Sequence, residues 1–385
     1  MSLLWVMKNW AKPSELWMQR QLEAMVDHIE LIACEAPEAP TWQQRIAVMA
    51  LGNVEQSPVV AKRTWFDRFT RRRQNRAPIE RLQLAVESAN VKKVLVHNLR
   101  FALQYAPLWR LTDKPLFVHC HGYDVFWDYC YPTGRLGERV HPTDYRQQVR
   151  QLAQRAMLIA NSHTTARRLY DIGVPHERVA VKYMGVEVPD TPPTRLAKTK
   201  GLKALYLGRL SDFKGPDLTI NAFTRACEQG FDGHLIMAGD GHMRIMCEIL
   251  RARSVFAHRI EILGNIDRST GTQLRCEADL FTAHHCTGPL TGQEEAFGVS
   301  YAEAMAAALP VVTGRNGSLP ELVTHGVHGL LCHPGDIEAH SQYLLQLAGD
   351  PQQRKKLGEN GWRRAQERFS IGLEKKRLLE ILQLN

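Results

Sequence analysis

Glu295-Ala296-Phe297-Gly298-Val299-Ser300-Tyr301-Ala302-Glu303-Ala304-Met305-Ala306 is the stretch on which the reading of this chain turns. A loop carrying Glu295 ends at Gly298 and opens into a helical run that contains Glu303. A helix N-terminus presents unpaired backbone N–H groups and the positive end of the helix dipole, so this loop suits a phosphate held beside polyhydroxyl groups. The plainer alternative is a capping Glu295 and an exposed helical Glu303. Upstream, Gly208-Arg209-Leu210-Ser211-Asp212-Phe213-Lys214-Gly215 lies between a strand pattern and a helix pattern. Arg209 and Lys214 there are placed to neutralise a diphosphate, the first as a bidentate fork and the second as a compact charge. A basic loop is otherwise simply solvated. Ala238-Gly239-Asp240-Gly241 is a tight turn after a strand, and on its own is ordinary turn chemistry.

Around these loops, short apolar runs alternate with amphipathic stretches of about 10 to 15 residues, the pattern of βα units around a parallel sheet. It predicts N-terminal strands at Leu3 to Met7, Ile29 to Ala33, Ile46 to Ala50, Val94 to His97, Leu116 to Cys120, Leu158 to Ala160 and Val179 to Lys182. Val186 to Lys200, with Pro189, Pro192 and Pro193, breaks the pattern. It then restarts at Ala204 to Leu207, His234 to Ala238, Ile260 to Leu263, Leu280 to Ala283, Val311 to Thr313 and Gly329 to Cys332. The fold class expected is α/β, two doubly wound Rossmann-like domains facing each other, with a ligand in the cleft at the carboxyl ends of the strands. The boundaries read are 1–190, a linker at 191–200, 201–365, and a last helix over 366–385 that packs back on the N-terminal domain.

The 385 residues carry 49 Lys and Arg against 40 Asp and Glu, with 44% hydrophobic and 23% charged residues, which excludes disordered and collagen-like classes. The eight cysteines form no C-x-x-C pair, which fits a reducing compartment and argues against a disulfide framework. No run approaches the ~18 apolar residues of a membrane span, and no export leader is evident, so the expected location is cytoplasmic. The net charge of +9 divides into +10 for residues 1–200, −6 for 201–350 and +5 for 351–385. Lys62 to Arg76 supplies much of the first share and interleaves seven basic side chains with Trp65, Phe66 and Phe69. Three readings of that segment stand: contact with an anionic bilayer, which would make the protein peripheral on the inner membrane face; phosphate contacts to nucleic acid; or a solvated helix. The acidic middle of the chain speaks against a nucleic-acid cleft. The G-x-G-x-x-G fingerprint of a nicotinamide-dependent dehydrogenase is missing after the first strand, where Lys8 to Ser14 stands.

Taken together, these loops resemble those of the family 4 glycosyltransferases, whose architecture, GT-B, pairs two Rossmann-like domains. The signature runs from Gly298 to Gly335, with Leu309-Pro310-Val311-Val312, Leu319-Pro320-Glu321-Leu322-Val323 and Gly329-Leu330-Leu331, and Glu295 and Glu303 match its two glutamates. The resemblance implies a retaining, metal-independent transferase that moves a hexose from a UDP- or GDP-linked sugar to a hydroxyl of a glycan or lipid-linked acceptor, with no cofactor. By it, Glu295 contacts the donor sugar, Glu303 the ribose, and Arg209 and Lys214 the diphosphate. The main chain of Ala296, Phe297 and Gly298 lines the pocket, and the base lies near Gly264. His121-Gly122-Tyr123-Asp124 matches a loop that the family places at the reacting sugar, with His121 as a catalytic residue beside Glu295 and Asp124 on the acceptor side. A histidine satisfied by backbone at a strand end is the plain alternative for His121. Pro13-Ser14-Glu15-Leu16-Trp17 is similar to the start of a subgroup making exopolysaccharides and surface polysaccharides.

Three positions depart from the pattern, since Ala296, Ala308 and Ser318 stand where the family carries glycine. None removes a charge, which favours an active enzyme; a catalytically weak relative serving as a partner or binding subunit is the alternative. No metal site is read. His119 and His121 flank Cys120 on an alternating strand and His284-His285 are sequential, so neither pair has metal-ligand spacing.

Overall fold

The computed structural model describes residues 2–9, 16–36, 46–52, 76–126, 141–194 and 200–384. Lys62 to Arg73 and Pro13 to Glu15 lie outside the described residues, so the bilayer reading of the basic segment and the subgroup motif gain no structural account here.

The chain divides into two compact units. The first comprises Met1–Val125, Arg139–Lys182 and Glu374–Asn385, and the second Phe126–Glu138 and Tyr183–Leu373. In the first, seven strands, β1 (Leu3–Asn9), β2 (Ile29–Ala36), β3 (Ala47–Ala50), β4 (Lys93–His97), β5 (Leu116–His119), β6 (Ala156–Ala160) and β7 (Val179–Val181), form one sheet in the order β3-β2-β1-β4-β5-β6-β7. All its pairings are parallel. Both faces of such a sheet are covered, which explains the unbroken apolar runs. Along β1 the two-residue period sends Leu4 and Val6 into one core and Leu3, Trp5 and Met7 into the other. The second core also takes Leu378 and Leu382 from the helix Ile371–Leu382.

In the second unit, β8 (Leu202–Leu207), β9 (Gly233–Ala238), β10 (Ile260–Gly264), β11 (Leu280–Ala283), β12 (Val311–Gly314) and β13 (Gly329–Cys332) form a parallel sheet in the order β10-β9-β8-β11-β12-β13. Each sheet thus reverses its strand order once, between β1 and β4 and between β8 and β11. In open α/β sheets that switch point, at the carboxyl ends of the strands, is where ligands bind. No helix among the described residues is long and apolar enough to cross a membrane.

Candidate functional site

In the second unit the switch point brings together the loop after β8, the residues after β11 and the loop before the helix Val299–Ala306. Gly215 closes the first of these at φ +54°, and a Cβ there would lie 1.9 Å from the His284 carbonyl oxygen. Only glycine lets the Lys214 turn approach β11 so closely. Gly298 caps the helix at φ +88°.

This packing sets Lys214 Nζ 2.5 Å from Glu295 Oε2, and His285 Nε2 2.9 Å from the same oxygen. His285 Nδ1 lies 2.7 Å from the Tyr301 hydroxyl, which in turn is 2.8 Å from Thr313 Oγ1. Burial alone would raise the Glu295 carboxyl, but the Lys214 ammonium and the His285 hydrogen bond overcome it and hold the group well below the usual carboxylate range. Burial, with Lys214 beside it, pushes His285 down to about 4. A neutral His285 therefore donates from Nε2 to Glu295 and accepts at Nδ1 from Tyr301. The result is a fixed, ionised carboxylate with one oxygen anchored.

The other expected residues fall as follows. Arg209 is exposed and makes no ion pair among the described residues. Glu303 lies in the helix Val299–Ala306 with Arg275 Nη1 at 3.1 Å. Ala296 and Phe297 are buried, the Phe297 ring packing on Phe369 and Tyr183. Gly264 ends β10 at φ +74°, its carbonyl accepting from the Gly239 N–H at 2.7 Å. Asp212 shapes the site from below. Its carboxylate accepts the N–H groups of Leu290 and Thr291, each at 2.9 Å, and so holds the loop that leads to Glu295.

In the first unit the parallel register sets His97, the last residue of β4, opposite His119, the last of β5. His121 follows, with its Nε2 3.3 Å from His97 Nδ1. Asp124 is fully buried. One oxygen accepts from the N–H groups of His121 and Gly122, both at 2.9 Å, and the other from the Leu99 N–H at 2.7 Å. The carboxylate thus fixes the His121 loop and the start of the helix Leu99–Gln104 together. Trp17 meets the His121 ring edge-on at 4.7 Å, and Trp5 stacks on His97 at 4.3 Å. Burial, then the Lys182 charge, pushes His121 down to about 3, so its imidazole is neutral. Lys182 is itself buried and ion-paired with Glu374, which also accepts from Gln21 Nε2 at 2.6 Å.

Several of these groups were given no role by the reading of the sequence: His97, Lys182, Glu374 and Arg275 were not singled out at all, Asp212 and Tyr301 were quoted only as parts of motifs, and His285 was weighed only as a metal ligand. For His97 a signal existed, since two parallel strands both ending in histidine set those residues side by side. Lys182 and Glu374 are 192 residues apart and carried none.

Comparison with known proteins fits this geometry. Residues 189–364 match the family described as glycosyl transferases group 1, and residues 20–188 match glycosyltransferase family 4. The amylovoran biosynthesis glycosyltransferase AmsK of Erwinia amylovora is 30% identical over 210 residues, covering 54% of this chain and 50% of its own. The putative colanic acid biosynthesis glycosyltransferase WcaL of Escherichia coli K12 is 28% identical over 206 residues, covering 53% and 50%. The match to both curated relatives thus spans about half their length. Among solved structures, Anabaena HepE in complex with UDP and glucose superposes with a TM-score of 0.76 at 22% identity, covering 100% of this chain and 99% of that one. The fold is the GT-B arrangement of two Rossmann-like domains. With consecutive family matches from residue 20 to residue 364, the chain belongs to the family 4 glycosyltransferases.

Proposed function

We propose that this protein transfers a hexose from a UDP- or GDP-linked sugar, with retention of anomeric configuration, to a hydroxyl of a glycan or lipid-linked acceptor in the synthesis of a cell-surface polysaccharide. The observation that carries the reading is Glu295, an ionised carboxylate anchored by Lys214 and His285 at the strand ends, next to the N-terminus of the helix that begins at Val299. Glu295 is read as the acceptor of donor-sugar hydroxyl hydrogen bonds. Lys214, the exposed Arg209 and the helix end supply positive charge for a diphosphate, and Glu303, beside Arg275, faces the ribose. The main chain from Ala296 to Gly298 lines the sugar pocket and Gly264 borders the base. Names of relatives lend support, since AmsK and WcaL are described by exopolysaccharide synthesis and HepE was crystallised with UDP and glucose.

In the step itself the bond from the anomeric carbon to the leaving diphosphate oxygen breaks and a bond to the acceptor oxygen forms on the same face. The acceptor proton passes to the departing phosphate oxygen. Charge growing on that oxygen is what the preorganised cations stabilise. The chemistry asks for no metal ion and no protein nucleophile. His121, neutral and with its loop fixed by Asp124, is read as a catalytic residue for the reacting sugar; Asp124 acts by holding that loop.

A thermal-shift screen of the purified chain against UDP, GDP and their common sugars tests the reading, because a ligand that binds only the folded state raises Tm. One nucleotide and one of its sugars should raise Tm together, and the same sugar should be turned over. No shift with any of them, or a covalent sugar adduct present in the wild type and absent from Glu295→Gln, overturns it.

A further inference from the structure

Two clusters of potential metal ligands occur among the described residues: His97, His119 and His121 in the first unit, and His284, Cys332 and His340 in the second. In each, one ligand atom per residue lies within 4.8 Å of the others. Their hydrogen bonds separate them. In the second cluster the Gly335 N–H donates to His284 Nε2 at 2.8 Å. A neutral His284 then carries its proton on Nδ1 and donates to His340 Nδ1 at 2.9 Å, leaving His340 Nε2 to donate to Thr282 Oγ1 at 2.7 Å. Every ring nitrogen is satisfied, and freeing a lone pair for a metal would break that chain. This cluster is a structural network.

The first cluster is built differently. His97 and His119 are each 1% exposed, yet neither ring nitrogen of His119 and not Nε2 of His97 has a hydrogen-bond partner among the described residues. Buried polar atoms ordinarily find partners, and the His119 ring, with neither nitrogen paired among the described residues, calls for one such as an ion; at His97 the atom that faces His121 is Nδ1, not the unpaired Nε2. His97 Nδ1 and His121 Nε2 stand 3.3 Å apart. That is close to the edge of a tetrahedral site, about 3.3 Å for metal–nitrogen bonds of about 2.0–2.1 Å. The nearby Lys182 charge is compensated by its ion pair with Glu374. His121 is only partly buried, which leaves one side open to an entering ion and to a fourth ligand such as water.

We propose that His97, His119 and His121 form a three-histidine site for a divalent transition-metal ion of the zinc class, imidazole being the ligand such ions favour. Occupancy would tie up the His121 lone pair, so the ion would act as an inhibitor of transfer. That consequence, though not the site, rests on the proposed role of His121.

The test titrates the full chain, dialysed against chelator, with Co²⁺ and follows the visible absorption of a low-coordinate cobalt site, with Zn²⁺ as competitor. One equivalent of Co²⁺ should bind and be displaced by Zn²⁺. His97→Gln and His119→Gln, each checked for native circular dichroism, should each weaken binding by at least about 100-fold, beyond the range for outer-shell changes. His340→Gln should leave binding unchanged. Absence of the band in the wild type, retention of affinity in a folded His97→Gln or His119→Gln, or its loss in a folded His340→Gln overturns the site. If Co²⁺ binds as stated and Zn²⁺ leaves transfer unaffected, the site stands and the assignment of His121 falls.

Discussion

Lys214 Nζ and Glu295 Oε2 lie 2.5 Å apart, with both side chains nearly buried, although they are 81 residues apart in the chain. The pair joins the turn after β8 to the loop before the helix Val299–Ala306, and His285 completes it from the end of β11. A charge so buried depends on its partner, which makes the pair testable apart from any activity.

Removing one member strands the other, and breaking a buried ion pair costs about 3–5 kcal/mol. Lys214→Ala should therefore lose roughly 3 kcal/mol or more in urea unfolding. Lys214→Met combined with Glu295→Gln should recover most of that loss while transfer stays abolished. Equal destabilisation in the single and double variants would rule out the coupling.

Arg209 makes a contrasting case, exposed and outside any ion pair among the described residues. Arg209→Ala should change stability by less than about 0.5 kcal/mol, yet sharply reduce the Tm rise given by the nucleoside diphosphate that binds the wild type. An undiminished ligand-induced shift would remove Arg209 from the diphosphate site.

Ala308 adopts φ +54°, in the left-handed region where a Cβ is strained. The left-handed conformation costs a non-glycine residue about 1–2 kcal/mol, partly offset by the extra unfolded-state freedom of glycine. Ala308→Gly should raise stability by up to about 1 kcal/mol, measured as the denaturation midpoint. No gain would show that the surroundings already relieve the strain.

Acid sensitivity should begin in the histidine range. Burial pushes His284, His285 and His328 each down to about 4, with Arg364 adding to the effect at His328. Between about pH 6.5 and pH 4 the unfolded chain binds a proton at each of these positions that the folded chain refuses. Stability therefore rises with pH, by about 1.4 kcal/mol per pH unit for each such group, and is lost as the solution is acidified. Unfolding free energies across this window should rise with pH, and His328→Gln should flatten the slope by one group's share. An unchanged slope in that variant would mean His328 titrates alike in both states.

The strand pattern was legible because a buried parallel strand needs an apolar run on both faces. Predicted runs such as Leu280 to Ala283 recur as strands for that reason. Glu295, Lys214 and Gly298 could be singled out as well, because a cation in a turn after one strand and an acid just before a helix start are local patterns; that Lys214 pairs with Glu295 was settled only by the fold. Asp124 looked like a ligand-facing acid, whereas in the fold its two oxygens take three backbone N–H groups. A sequence names a carboxylate but not what it accepts from.

What the sequence determined by itself was therefore local: alternation of strand and helix, the break around Pro189 to Pro193, and the loops with charge and glycine at strand ends. Tertiary structure alone decided which groups from distant segments meet. It set Glu374 on Lys182, Asp212 beneath the loop at Leu290 and Thr291, Arg275 beside Glu303, and His97 beside His119 and His121. Periodicity and turn chemistry act over a few residues and leave their mark in order along the chain. Partners in a buried polar network are chosen by strand register and packing, which only the folded sheets define.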